Sequence, residues 1–202
     1  NQDARGELLR WAKASESRGH IESMLKLARV EEGIFHRATD FNPDPWLFNV
    51  ANGIIDLRTG ELKAHDPNLM ISRLSEVTYD PSAHDDRWDK FLNVITQGDG
   101  DLEGYLRRAA GYTLTADISE EVFFLIYGPQ ASGKSTFIDA LLTILGDMAM
   151  ITRAETLLHQ TTGGAPLDEL AAMLDKRMVA TIEIPDGGRL AESLVKQMTG
   201  GD

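Results

Sequence analysis

The chain contains no cysteine. That single absence excludes a disulfide framework, a thiolate zinc site, an iron–sulfur cluster and a cysteine nucleophile. It fits a reducing, cytoplasmic compartment. Basic residues are scarce: 20 Lys and Arg stand against 32 Asp and Glu, a formal net charge of −12 over 202 residues. So acidic a chain does not hold nucleic acid through bulk charge; any such contact needs a local basic cluster or residues from elsewhere. No apolar run approaches the roughly 18 residues of a membrane span, so no membrane partner is expected. The opening Asn1-Gln2-Asp3-Ala4-Arg5 has no apolar stretch behind it, and a secretory signal is not expected either. What is present is ordinary: 42% hydrophobic and 26% charged residues, the balance of a folded globular chain. The length suits one domain, or a small domain and part of another.

The first stretch, to about Ile34, reads as helical. Ile21, Met24, Leu25 and Ala28 recur at spacings of three and four, an apolar stripe expected to face a core. Ser17 and Gly19 divide it into two helices, and Glu32-Gly33 is read as the end of the second. Asn42-Pro43-Asp44-Pro45 breaks the pattern. Trp46–Val50 and Ile54–Leu57 then read as strands around an Asn52-Gly53 turn. Glu61–Ala64 makes a small meander, and Met70–Leu74 is a further extended piece. Helical spacing returns from Trp88 to Ala110, with Trp88, Phe91, Leu92 and Ile95 on one face. Gly98-Asp99-Gly100 breaks it, and Gly111 is read as a cap.

The chemistry-bearing signal follows. Val122–Tyr127 is six apolar residues, read as a buried parallel strand. Directly after it, Gly128-Pro129-Gln130-Ala131-Ser132-Gly133-Lys134-Ser135 matches the phosphate-loop pattern of glycine, four residues, glycine, lysine, and serine or threonine. Thr136 and a helix with apolar Phe137, Ile138, Leu141, Leu142 and Leu145 complete the unit, and Gly146 stops it. Such a loop wraps phosphate oxygens with inward N–H groups, which the two glycines permit. The helix N-terminus adds unsatisfied donors and a favourable dipole. Lys134 reaches the β- and γ-phosphates, and the Ser135 hydroxyl ligates Mg²⁺. The nucleotide-contacting set is therefore residues 128–136. A second acid is expected at the tip of a neighbouring strand. Met178-Val179-Ala180-Thr181-Ile182-Glu183 offers Glu183, as a further Mg²⁺ ligand or a group polarising the attacking water. A last helix spans Arg189–Met198.

The reading is α/β: residues 1–120 as a mixed α+β accessory domain, and residues 121–202 as the first part of a phosphate-loop ATPase with a parallel sheet. Only two of its strands are readable, so the chain is expected to be a fragment, with little or no ATP turnover of its own.

Three stretches resemble the phage and plasmid primase-helicases, a superfamily 3 helicase family. They are Asp44-Pro45-Trp46-Leu47-Phe48-Asn49-Val50-Ala51-Asn52-Gly53-Ile54-Ile55-Asp56-Leu57-Arg58-Thr59-Gly60, Tyr105-Leu106-Arg107-Arg108-Ala109-Ala110-Gly111-Tyr112-Thr113-Leu114-Thr115 and the run from Arg189 to Asp202. The resemblance implies an AAA+-like core that hydrolyses ATP with Mg²⁺, assembles as a homo-hexameric ring and unwinds DNA at a fork, gripping single-stranded DNA. It implies a phage- or mobile-element-encoded protein in a bacterial host. It places Lys134 and Glu183 as catalytic, and Lys196 near the nucleotide. It puts a sensor residue, an arginine finger and most of a DNA-binding hairpin beyond Asp202. Two rivals stand beside it. A small phosphate-loop kinase needs an arginine-rich lid, and Arg153 alone does not make one; a truncated interaction module would keep the loop without the turnover.

Overall fold

The computed structural model describes residues 2–31, 33–158, 167–182 and 188–200. It divides into two compact units, residues 1–41 and 42–202.

In the first unit, α1 (Gln2–Ser15) and α2 (Arg18–Ala28) flank the break at Ser17, which caps α2. The Ser17 hydroxyl lies 2.8 Å from His20 Nδ1. The helices form as the spacing predicts, but α2 ends at Ala28, ahead of the expected stop at Glu32-Gly33. The apolar stripe is not core-facing: Met24 is 59% and Leu25 52% exposed, and α2 buries no residue. The cause is layer count. Two short helices cannot enclose each other's apolar faces, which need a second layer to cover them.

The second unit opens with an antiparallel meander of β1 (Leu47–Val50), β2 (Gly53–Asp56) and β3 (Glu61–Lys63). Asp44 starts it by accepting a hydrogen bond from the Trp46 N–H. The register pairs Leu47 with Asp56 and Val50 with Gly53, so Asn52-Gly53 turns the chain as read. A Cβ on Gly53 would stand 2.3 Å from the Lys63 carbonyl oxygen, and glycine is required there. The extended piece read at Met70–Leu74 joins no ladder. Ser75 instead makes one parallel bridge to Val50, and its hydroxyl donates to the Ile144 carbonyl.

Helices α3 (Asp86–Thr96) and α4 (Gly100–Leu114) follow, each begun by an aspartate cap, Asp85 and Asp99. Between them lies the predicted glycine break, but α4 runs three residues past Gly111. Next come α5 (Lys134–Leu145), β4 (Ala149–Thr152), α6 (Ala154–Leu157), α7 (Leu167–Met173), β5 (Met178–Thr181) and α8 (Glu192–Gly200). β4 and β5 pair in parallel, with Thr152 opposite Thr181. The result is a mixed α/β chain with one antiparallel and one parallel sheet among the described residues.

Two clusters make the core. Phe48, Val50 and Ile55 of the meander pack with Leu145 and Met148. Leu92 of α3 packs with Phe137 and Leu141 of α5. Met178 touches both. The meander and the helix behind the phosphate loop therefore share one core, across residue 120.

Arg177 ties this unit together. Its Nη2 donates to the Leu47 carbonyl at 2.6 Å and its Nη1 to the Leu114 carbonyl, while the guanidinium lies 5.5 Å from the Phe48 ring centre. Burial lowers its pKa to about 10, partly offset by Asp44, so it stays charged at neutral pH. Arg177→Met keeps the apolar stem and strips both carbonyls of their donor. Lost charged hydrogen bonds of roughly 1.5–3 kcal/mol each, offset by the relieved cost of a buried charge, leave a destabilisation of about 2 kcal/mol. The urea midpoint should fall accordingly; an unmoved midpoint would show that the two bonds contribute nothing net.

One expected strand is missing. Val122–Tyr127 joins no ladder among the described residues, and its side chains are exposed, from 38% at Ile126 to 87% at Tyr127. A buried strand needs neighbours, and the parallel partner of β4 is β5 rather than this run.

Candidate phosphate-binding site

The loop Gly128–Ser135 leads directly into α5. Gly133 caps that helix at φ 83°, a left-handed conformation, and the Phe137 N–H returns to the Gly133 carbonyl at 3.0 Å as the first helical bond. The amides of Lys134, Ser135 and Thr136 precede that bond and have no intrahelical acceptor, as first-turn amides must. They give the loop's mouth its positive end. Ala131 is also left-handed, at φ 58°. Gly128, Ala131 and Gly133 all have positive φ, so the loop turns three times within six residues.

The Lys134 side chain bends back over the loop. Its ammonium donates to the Pro129 carbonyl at 2.7 Å, the Gly128 carbonyl at 3.0 Å and the Ser132 hydroxyl at 3.2 Å. One full positive charge is therefore held beside the free amides. Ser135 and Thr136 are exposed on the first turn of α5. This combination of cation, free N–H groups and adjacent hydroxyls is suited to an anion with several oxygens.

α3 fixes where the loop sits. A Cβ on Gly133 would lie 2.6 Å from Ile95 Cγ2 and 3.0 Å from Phe91 Cε2. Two residues past the loop's end, Phe137 stacks on Trp88 of the same helix, with ring planes 13° apart and centres 6.2 Å apart. These supports are absent from the site read in the sequence. Their signal was there, in the apolar face Trp88, Phe91, Leu92 and Ile95, but the same pattern marks any packed helix.

Two further site residues are expected from the sequence. Glu183 lies outside the described residues. The strand leading to it forms as β5 and ends at Thr181, whose hydroxyl oxygen is buried without a partner; Ile182 is half exposed. Lys196 is exposed on α8, and among the described residues no hydrogen bond or ion pair joins it to the loop. No group of three or more acidic or histidine side chains among the described residues could hold a metal ion. No helix there is long and apolar enough to cross a membrane.

Comparison with known proteins adds two findings. Residues 1–97 match the family described as "D5 N terminal like". Over 186 residues, 85% of the chain, the sequence is 25% identical to a protein of Acanthamoeba polyphaga mimivirus named "Putative helicase L207/L206". The match spans 19% of that protein's length.

Proposed function

We propose, within the phage and viral primase-helicase family that both matches support, that this chain binds ATP with Mg²⁺ through residues 128–136 and belongs to a DNA-unwinding motor. The observation that carries the reading is the loop itself: free amides at the start of α5, with the Lys134 ammonium held on the Gly128 and Pro129 carbonyls of the loop. Lys134 offsets charge on the β- and γ-phosphates, and the loop's N–H groups bind the remaining oxygens. Ser135, exposed on the first turn, offers the hard oxygen ligand that Mg²⁺ takes, and Glu183 a second. Bound Mg²⁺ supplies charge neutralisation to the transferred phosphate. Glu183 then orients and polarises the attacking water.

In this reading residues 1–120 are the accessory part and residues 121–202 begin the motor. The exposed apolar run Val122–Tyr127, directly ahead of the loop, fits a strand whose neighbours come from outside the described residues. A homo-hexameric ring, with single-stranded DNA in its pore, reconciles the net charge of −12 with DNA work, since only a narrow lining must be basic.

Glu183→Gln tests the division of labour, because it keeps shape and removes charge. ATP affinity, measured by titration, should stay within about threefold of wild type. In the complete motor, single-turnover phosphate release should fall by roughly a hundredfold, the scale of a positioned base or polarising group. A variant that loses affinity and keeps its rate per bound nucleotide would overturn the assignment.

A further inference from the structure

A second concave feature lies on the helix that supports the loop. Ala83, His84, Asp85, Trp88, Asp89 and Arg107 line a groove of about 340 Å³ at the start of α3. Its size falls at the small end of ligand sites. Its wall is aromatic. Its rim holds two carboxylates in place: Asp85 caps α3 and grips Arg87, and Asp89 meets Arg107 at 3.2 Å and His84 Nδ1 at 3.5 Å. A carboxylate oxygen has two lone pairs, so each rim acid retains capacity to accept another N–H.

The groove and the loop are neighbours through shared side chains. Phe91 lies against Gly133 of the loop on one side and 5.2 Å from the Trp88 ring centre on the other. Trp88 in turn stacks on Phe137, in the first turn of the loop's helix. One α3 face therefore carries both features, a turn of helix apart.

Their chemistries differ. The loop offers a cation and free amides, which attract phosphate. The groove offers the Trp88 ring edged by Asp85 and Asp89, each already paired with an arginine, Arg87 and Arg107, so it carries little net charge and suits a flat heterocycle bearing N–H donors. We propose that this groove holds the nucleobase of the nucleoside triphosphate whose phosphates rest on the Gly128–Ser135 loop. The base stacks against Trp88 and donates from its exocyclic amine to Asp85 or Asp89. The loop's cation sets the ligand's direction, phosphates to Lys134 and base to the charge-balanced groove. The proposal rests on the phosphate reading of the loop and extends it to base recognition.

The two can be separated by comparing ATP with inorganic triphosphate, each with Mg²⁺. The triphosphate tests the loop alone; ATP tests loop and groove. Wild type should bind ATP more tightly than triphosphate, and ATP should quench Trp88 fluorescence. Trp88→Leu should weaken ATP binding about tenfold or more, the scale of one base–aromatic stack. Trp88→Phe should retain most of the ATP affinity. Because Trp88 also packs on Phe137 and so supports the loop, the selective test is a variant that fills the groove from its exposed edge: Ala83→Leu should weaken ATP binding and leave triphosphate binding unchanged. Equal wild-type affinity for the two ligands, or an Ala83→Leu variant that weakens both alike, would overturn the groove while leaving the loop in place. Binding of neither ligand would sink the loop reading, and the groove with it.

Discussion

Lys134→Ala should cost the chain about a thousandfold in ATP affinity with the fold intact. The ammonium is a full positive charge held in the loop, donating at 2.7–3.2 Å to three of its oxygens. On binding it exchanges carbonyl and hydroxyl partners for phosphate oxygens, which carry charge. Two charge-assisted bonds at roughly 1.5–3 kcal/mol each amount to about 4 kcal/mol, or three decades in affinity. Its structural bonds are to exposed or half-buried oxygens that water can satisfy, so thermal stability should change little. The check is a titration of ATP with Mg²⁺ into wild type and variant, with circular dichroism confirming equal helix content. Near-wild-type affinity in a folded Lys134→Ala chain would remove the basis of the proposed function.

Gly133→Val should destabilise the second unit by about 4 kcal/mol. Two penalties combine. At φ 83° a β-branched residue is strained, on the order of 1–2 kcal/mol. Its Cβ would also stand 2.6 Å from Ile95 Cγ2 and 3.0 Å from Phe91 Cε2, an overpacking worth roughly 1–3 kcal/mol. Both neighbours are half-buried and pack against the cluster of Leu92, Phe137 and Leu141, so moving them aside disturbs that packing. The urea midpoint should drop with an unchanged slope. Ala131→Gly, at another left-handed position of the loop, should not destabilise in this way, because it relieves φ strain and meets no packed helix. A Gly133→Val chain as stable as wild type would show that α3 does not clamp the loop.

These two residues mark how far reading along the chain could go. Gly133 and Lys134 were legible as members of an eight-residue pattern, because a phosphate cradle demands glycine and a cation at fixed spacing. The meander was legible as well, from Asn52-Gly53 and the change of hydrophobic period, as was α5 with its stop at Gly146. The reason Gly133 tolerates no side chain was only half legible. The left-handed turn follows from the pattern; the clash with Phe91 and Ile95 involves a helix some forty residues away in sequence.

The misread elements share one physical origin. Apolar periodicity shows which face a segment would bury, not whether anything arrives to cover it. Met24 and Leu25 belong to the stripe of a buried helix and stand in solvent, because α1 and α2 form only one layer. Val122–Tyr127 has a buried strand's composition and no described strand beside it. β4 escaped notice because Ala149–Thr152 is a short run whose strand identity comes from pairing with β5. Arg177, which drew no attention in the sequence, is the half-buried link between the start of β5, β1 and α4. By itself the sequence determined the local chemistry: turns, caps, the loop's residues and the helix behind it, all set within a few positions along the chain. Only the tertiary structure decided which apolar faces are covered, which helix holds the loop, and that an aromatic, acid-edged groove lies beside it. Those outcomes depend on contacts between segments distant in sequence, which local spacing does not encode.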